Sequence, residues 1–261
     1  MDLAAYFTVI IEGVSRMVKP TIGVQLIVWG RRPETDLLGV LDEVASLEYA
    51  GVEMSPSVLQ RFKAERRLFA DRGLALAGLH LGVGDVKAAE TALELLQKLD
   101  GRYLLFSGAG GKGNTEEEYR VNSKFLQDVG RKAVEYGVKV CYHNHAVEVI
   151  NHAMGMKIIC RETDPEHVSL CIDTFWVQYG GLSPVDFIKE NLNRLAYLHL
   201  KDLRDSTFTE LGRGIIDFPA VMRLVEPLNL EWAVVEQDRT DKTPKESMAI
   251  SRKYLREKIG L

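Results

Sequence analysis

Eight short apolar runs alternate with helical patterns along this chain, and that strict alternation narrows its fold more than any other feature. The runs cover residues 22–27, 51–54, 74–79, 103–106, 138–142, 168–172, 195–198 and 232–235. They are nearly continuous in Val, Ile, Leu, Ala and aromatic residues, the pattern of strands buried on both faces. The helices between them have readable ends. Leu37, Leu41, Val44 and Leu47 form an apolar stripe that Gly51 closes. Ser55-Pro56 opens a second helix that ends near Gly73. Thr115 with Glu118 and Thr243 with Glu246 spell capping boxes, Ser183 precedes a first-turn proline, and Asp217 caps the seventh helix. Repetition of strand then helix requires parallel strands joined by right-handed crossovers. Eight such units close as a (β/α)8 barrel, here a single domain over residues 21–261. An open doubly wound sheet would carry a glycine-rich phosphate turn after its first strand. Trp29-Gly30-Arg31-Arg32-Pro33 is no such turn.

Composition removes several classes of function. The net charge is −4 and no long basic run occurs, so nucleic acid is a poor partner. Cys141, Cys160 and Cys171 show no CxxC spacing; Cys141 and Cys171 sit in apolar runs and read as small buried hydrophobes. Unpaired thiols fit a reducing cytoplasm. Residues 1–20 read as a helical extension, with an amphipathic helix over 2–17 that covers the barrel floor or marks an interface. Its apolar stretch is too short to span a bilayer, and Asp2 replaces the basic head of a secretion signal. Neither a membrane nor nucleic acid is an expected partner, and homo-oligomerisation stays open.

Chemically capable side chains close the strands: Glu53, His80, His143, Asp173, His199 and Glu236. In a barrel of parallel strands such ends meet at one mouth. His143, Asp173, His199 and Glu236 together suit a divalent cation, with Mn²⁺ favoured over Mg²⁺, Co²⁺ or Zn²⁺. A single histidine at a strand end is more often a satisfied hydrogen-bonding group, but four such ends are harder to dismiss. His143 and His145 alternate along a strand, so only one should face the cation unless the backbone turns there. The expected ligand is His143. His145 then supports the ligands or faces substrate.

Several segments carry a resemblance. They are Cys141-Tyr142-His143-Asn144-His145, Asp173-Thr174-Phe175-Trp176, His199-Leu200-Lys201-Asp202, Gly212-Arg213-Gly214-Ile215-Ile216-Asp217-Phe218 and Val235-Glu236-Gln237-Asp238. From about Thr21 onward the chain resembles the sugar phosphate isomerase/epimerase superfamily of xylose isomerase-like TIM barrels. The resemblance implies a metal held by one residue from each of strands five to eight, here His143, Asp173, His199 and Glu236. His143 departs from the pattern, since Glu is commonest there, and two-base epimerisation between paired glutamates loses one partner. Trp176 resembles the inosose dehydratase-like branch.

The chemistry expected from this set begins with proton removal beside a carbonyl of a keto-sugar or keto-polyol, giving an enediolate. Glu236 is the expected base. His145 and Lys201 are the other expected catalytic groups, with His80 and Glu148 as further proton-donor candidates. Glu53, His80, Glu148, Trp176 and Arg213 are expected to contact substrate. Isomerisation or epimerisation is the leading outcome; inosose-type dehydration and 3-keto-glycoside elimination share the first step. An endonuclease IV-like repair enzyme would need more metal ligands and a basic groove, and a silent sugar-binding module is the remaining alternative. Gly108-Ala109-Gly110-Gly111-Lys112-Gly113-Asn114 lacks the P-loop pattern; it reads as a mobile flap, with anion capture by its amides as a second use. Trp29 and Trp176 are candidate apolar walls for a sugar ring.

Overall fold

The computed structural model describes residues 19–261; the helix expected over residues 2–17 lies outside them. The strands are β1 (Thr21–Gln25), β2 (Gly51–Met54), β3 (Ala75–Gly82), β4 (Tyr103–Ser107), β5 (Lys139–His143), β6 (Val168–Asp173), β7 (Leu195–Leu200), β8 (Asp202–Arg204), β9 (Thr207–Thr209) and β10 (Trp232–Val235). Eight of them close a barrel in the order β1-β2-β3-β4-β5-β6-β7-β10. Every barrel pairing is parallel. The (β/α)8 expectation is therefore met.

The strands form where the apolar runs lie because both of their faces are covered. Val24, Val52, Leu104, Tyr142, Leu170 and Leu198 are fully buried against the helical ring or inside the barrel. Alternation then sorts each strand into two sets. Leu105, Cys141, Cys171, Tyr197, Trp232 and Val234 pack together as an apolar plug in the barrel interior. Two residues further along β5, β6 and β7, and two beyond Val234, stand His143, Asp173, His199 and Glu236. The same period that buries the plug points the next layer of side chains into the mouth. Cys141 and Cys171 are free and buried, as read.

Some boundaries differ from the sequence reading for identifiable reasons. β1 stops at Gln25, whose side-chain oxygen accepts from the Ile27 amide at 2.5 Å and turns the chain into a 3₁₀ segment, Leu26–Trp29. β3 and β7 run on to Gly82 and Leu200, so His80 and His199 lie within strands. The second helix is two short ones, Pro56–Arg61 and Arg67–Ala70, with Lys63 in the left-handed region between them. The β8–β9 hairpin went unread. Its two-residue tip, Asp205-Ser206, has positive φ at both positions (51° and 59°), the turn that matches strand twist. Caps at Thr115, Ser183, Asp217 and Thr243 form as expected. Trp29 is buried, packs in the core and donates its indole N–H to Glu43 at 2.9 Å.

Candidate metal centre

β5 to β7 and the end of β10 bring His143, Asp173, His199 and Glu236 together with one ligand-type atom of each within 4.8 Å of the others. All four are buried. Both His143 ring nitrogens, Asp173 Oδ2 and His199 Nδ1 have no hydrogen-bond partner. Buried polar atoms are almost always satisfied, and orphans converging on one point are what a bound cation would satisfy. His199 Nδ1 lies 2.8 Å from Glu236 Oε2 without hydrogen-bond geometry, and His143 Nε2 lies 3.5 Å from Asp173 Oδ2. Two imidazoles and two carboxylates suit a borderline divalent cation, and the residues present fit one.

Around this set the protein supplies a second layer. Glu53, fully buried on β2, accepts from His199 Nε2 at 2.8 Å and contacts His80 Nδ1 at 3.2 Å. The carboxylate fixes the His199 tautomer and aims Nδ1 at the centre. Burial pushes the Glu53 carboxyl up, but the two histidines hold it down at about 2. His80 Nε2 meets Ser107 Oγ at 3.1 Å. Glu53 therefore spends an oxygen on each histidine and orients them. Asn144 accepts from the Asp173 amide at 3.0 Å, stitching the end of β5 to that of β6.

Lys201 is also buried, and its ammonium lies 2.8 Å from Glu236 Oε1, 3.7 Å from Asp173 Oδ2 and in contact with Asp238. The Trp176 ring lies 4.8 Å from the same nitrogen. Burial disfavours the ammonium, but Glu236, Asp173 and Asp238 outweigh it and keep it charged. Burial likewise pushes Glu236 up, and Lys201 with His199 overrides it, so Glu236 is held well below the carboxylate range. Asp173, where burial prevails, is raised to about 6. Burial drives His143 well below the ordinary imidazole range, leaving the neutral form a metal needs. Burial works the same way on His199, but Cys171, Glu53 and Glu236 outweigh it and favour the imidazolium, which a cation would have to deprotonate.

The remaining expected residues fall on both sides of this centre. The backbone does turn at His145, which precedes the helix Ala146–Glu162. Its ring consequently sits on the same side as His143, with centroids 4.9 Å apart, and meets Trp176 at 5.4 Å. Glu148 is fully buried and accepts from the His145 amide at 2.8 Å and the Tyr142 hydroxyl at 2.9 Å. It caps the start of that helix. Arg213 is exposed, and its guanidinium makes no ion pair or hydrogen bond among the described residues. The glycine-rich loop does not offer its amides to an anion, because Glu118 already accepts from Lys112, Gly113 and Thr115 at 3.0–3.1 Å.

Three residues of this region carry no role in the sequence reading, although Asp202 and Asp238 stand in segments that bear the resemblance. Asp238 contacts Lys201. Phe208, on β9, packs on Phe175 with centroids 4.4 Å apart. Asp202, buried, accepts from the amides of Leu203, Gly212, Gly214 and Ile216 at 2.8–3.2 Å and gathers the β7–β10 connection around itself. The sequence signals for Asp202 are its place in the segment His199-Leu200-Lys201-Asp202 and its polar character just after an apolar strand.

A closed (β/α)8 barrel with an imidazole–carboxylate cluster in its mouth defines a broad class. Residues 41–258 match the family model of the xylose isomerase-like TIM barrel, and the chain belongs to that family. It is similar to an inosose dehydratase of Clostridium beijerinckii, 30% identical over 167 residues, covering 56% of each chain. An inosose dehydratase of Geobacillus thermodenitrificans is 31% identical over 169 residues, 56% of this chain and 57% of that one. The chain thus spans about half the length of these curated relatives. In fold it resembles a sugar phosphate isomerase/epimerase from Parabacteroides distasonis, with TM-score 0.76 and 19% identity over 94% of this chain and 97% of that one. It also resembles a 3-keto-D-glucoside 4-epimerase from E. coli, with TM-score 0.73 and 18% identity over 90% of this chain and 100% of that one. No described helix is long and apolar enough to cross a membrane.

Proposed function

We propose that this chain is a divalent-metal-dependent enzyme acting on a keto-sugar or keto-polyol through an enediolate, with isomerisation or epimerisation as its outcome. One observation carries the reading: four buried donors, on His143, Asp173, His199 and Glu236, converge within 4.8 Å and three of the four residues lack other partners for the atoms involved. Those four residues would hold the cation, with Mn²⁺ favoured. When bound, it supplies electrophilic stabilisation of negative charge on the substrate oxygens. Glu236, kept ionised by Lys201, accepts the proton beside the carbonyl. Lys201, fixed among three carboxylates, orients Glu236 and balances the charge of the pocket. His145 is held toward its neutral form by burial and sits at the rim with Trp176, placed to exchange a proton on a second substrate atom. Trp176 and His80 line the approach. Cytoplasmic residence and a sugar-sized partner belong to the same reading.

A second outcome is favoured by a specific residue. His143 stands where a second carboxylate base would be needed for exchange on opposite faces of the substrate. Dehydration needs no such pair, and the relatives named inosose dehydratases point the same way. Metal analysis of the purified protein, followed by mass and stereochemical analysis of products from inososes, ketohexoses and 3-keto-glycosides, tests both. Loss of water from the product selects dehydration, and unchanged mass selects isomerisation. A protein that takes up no divalent cation refutes the reading.

A further inference from the structure

We propose that Trp176 and Asp238 form a hydroxyl-binding pair beside the candidate metal centre: the indole N–H donates to, and the Asp238 carboxylate accepts from, one hydroxyl of a neutral polyol substrate. Trp176 Nε1 and Asp238 Oδ2 are buried atoms without a hydrogen-bond partner among the described residues. A buried donor or acceptor left alone costs free energy, and one of each kind at the same place is what a single hydroxyl would satisfy. The other orphaned atoms outside the centre lie elsewhere. Ser123 is inside the helix Glu116–Glu135, Tyr197 is in the barrel plug, and Arg194 spends its terminal nitrogens on Cys160, Thr163 and Val168.

Residues of the centre itself hold the pair at the mouth. Trp176 follows Asp173 in the helix Thr174–Tyr179, and its amide donates to Asp173 Oδ1 at 2.9 Å. Asp238 lies two residues beyond Glu236. Lys201 joins them, because its ammonium touches Asp238 Oδ2 outside hydrogen-bond geometry and lies 4.8 Å from the centroid of the Trp176 ring. The two side chains therefore flank one nitrogen, and both residues keep part of their surface open to an incoming ligand.

The surroundings select the chemistry of that ligand. Glu236, Asp173 and Asp238 share a single ammonium. An anionic group placed there meets three carboxylates, whereas a hydroxyl is uncharged and both donates and accepts. Rings stand on either side of the indole: His145 at 5.4 Å and Phe208 at 5.8 Å between centroids. Such rings suit the C–H faces of a sugar or cyclitol. The ligand's status as a substrate rests on the sugar-enzyme reading; the hydroxyl pair does not.

The indole N–H signals in a two-dimensional nitrogen–proton spectrum of the full chain test the pair without metal or turnover. Trp176→Phe keeps an aromatic ring, removes the N–H and identifies the Trp176 signal by its loss. Titration of the parent with myo-inositol in the presence of a chelator should move that signal saturably. The Trp29 signal, whose N–H already donates to Glu43, should stay in place. Asp238→Ala should raise the Kd read from the shift about tenfold, the loss of one hydrogen bond to a charged group. Asp238→Asn keeps the volume and an acceptor oxygen and should fall between the two. Circular dichroism checks that each variant folds. A Trp176 signal that stays fixed up to about 0.1 M myo-inositol overturns the proposal, and is the result expected if the N–H is spent on the ring face of Phe208 or Tyr179. A Kd within twofold of the parent in folded Asp238→Ala overturns it too, as does inorganic phosphate moving the signal at lower concentration than myo-inositol. A chain that shows the shift but takes up no divalent cation keeps this proposal and loses the metal reading; metal uptake without the shift does the reverse.

Discussion

Replacing Glu53 by Gln should weaken divalent-metal binding although Glu53 is not among the four candidate ligands. The carboxylate accepts from His199 Nε2 at 2.8 Å inside a fully buried pocket. A glutamine keeps the size and one acceptor oxygen, so the His199 ring stays aimed, but the negative charge behind the imidazole disappears. A hydrogen bond to a charged group is worth about 1.5–3 kcal/mol net. That corresponds to a loss of about ten- to a hundredfold in metal affinity, the usual range for a partner behind a histidine ligand. The same charge also favours the competing proton on His199, which sits well above its ordinary range. Removing it lowers that competition, and the two effects partly offset where protons are abundant. The loss should therefore be larger at about pH 8.5 than at about pH 6. Titration calorimetry with Mn²⁺ at both pH values measures it. Affinity within twofold of the parent at the higher pH, in a variant that folds, would refute the orienting role of Glu53.

Glu236→Gln should abolish turnover while the fold survives; full retained activity in a steady-state assay sinks the base assignment. Mn²⁺ at about a hundredfold above its Kd should stabilise the chain by about 2.7 kcal/mol, read as a chelator-reversible rise in Tm; no shift in Tm argues against a site. Metal affinity should rise as pH rises, because the cation displaces the proton that Glu53 and Glu236 favour on His199, and a pH-independent Kd would contradict that exchange. Arg194→Met should cost about 3 kcal/mol in chemical denaturation, since its guanidinium donates to Cys160, Thr163 and Val168 carbonyl oxygens at 2.6–3.1 Å.

The barrel was legible because its signals are local and repeated. Each strand is a short run buried on both faces, and each helix starts at a cap such as Thr115 or Thr243 that needs only its own neighbours. The four converging residues were legible for a related reason: period two along a strand and closure of the barrel fix where a side chain at a strand end must point. Relations across the barrel left no such trace. Glu53 and His199 come from β2 and β7, and nothing near either residue announces their contact. Glu148 reads as a free acid near the site until the helix start at His145 claims it. The hairpin was missed because Leu203 and Phe208 lie in strands of three residues each, too short for a periodic signal.

Asp202 gathers residues 203–216 after β7 onto one buried carboxylate, and Gly214 approaches it so closely that an added Cβ would lie 2.2 Å from its oxygen. Roots fixed in that way leave the tip at Asp205 and Ser206 free to vary in length or chemistry without disturbing the barrel beneath. A lineage seeking a new substrate would find its cheapest changes there, and would forfeit them all by altering one aspartate.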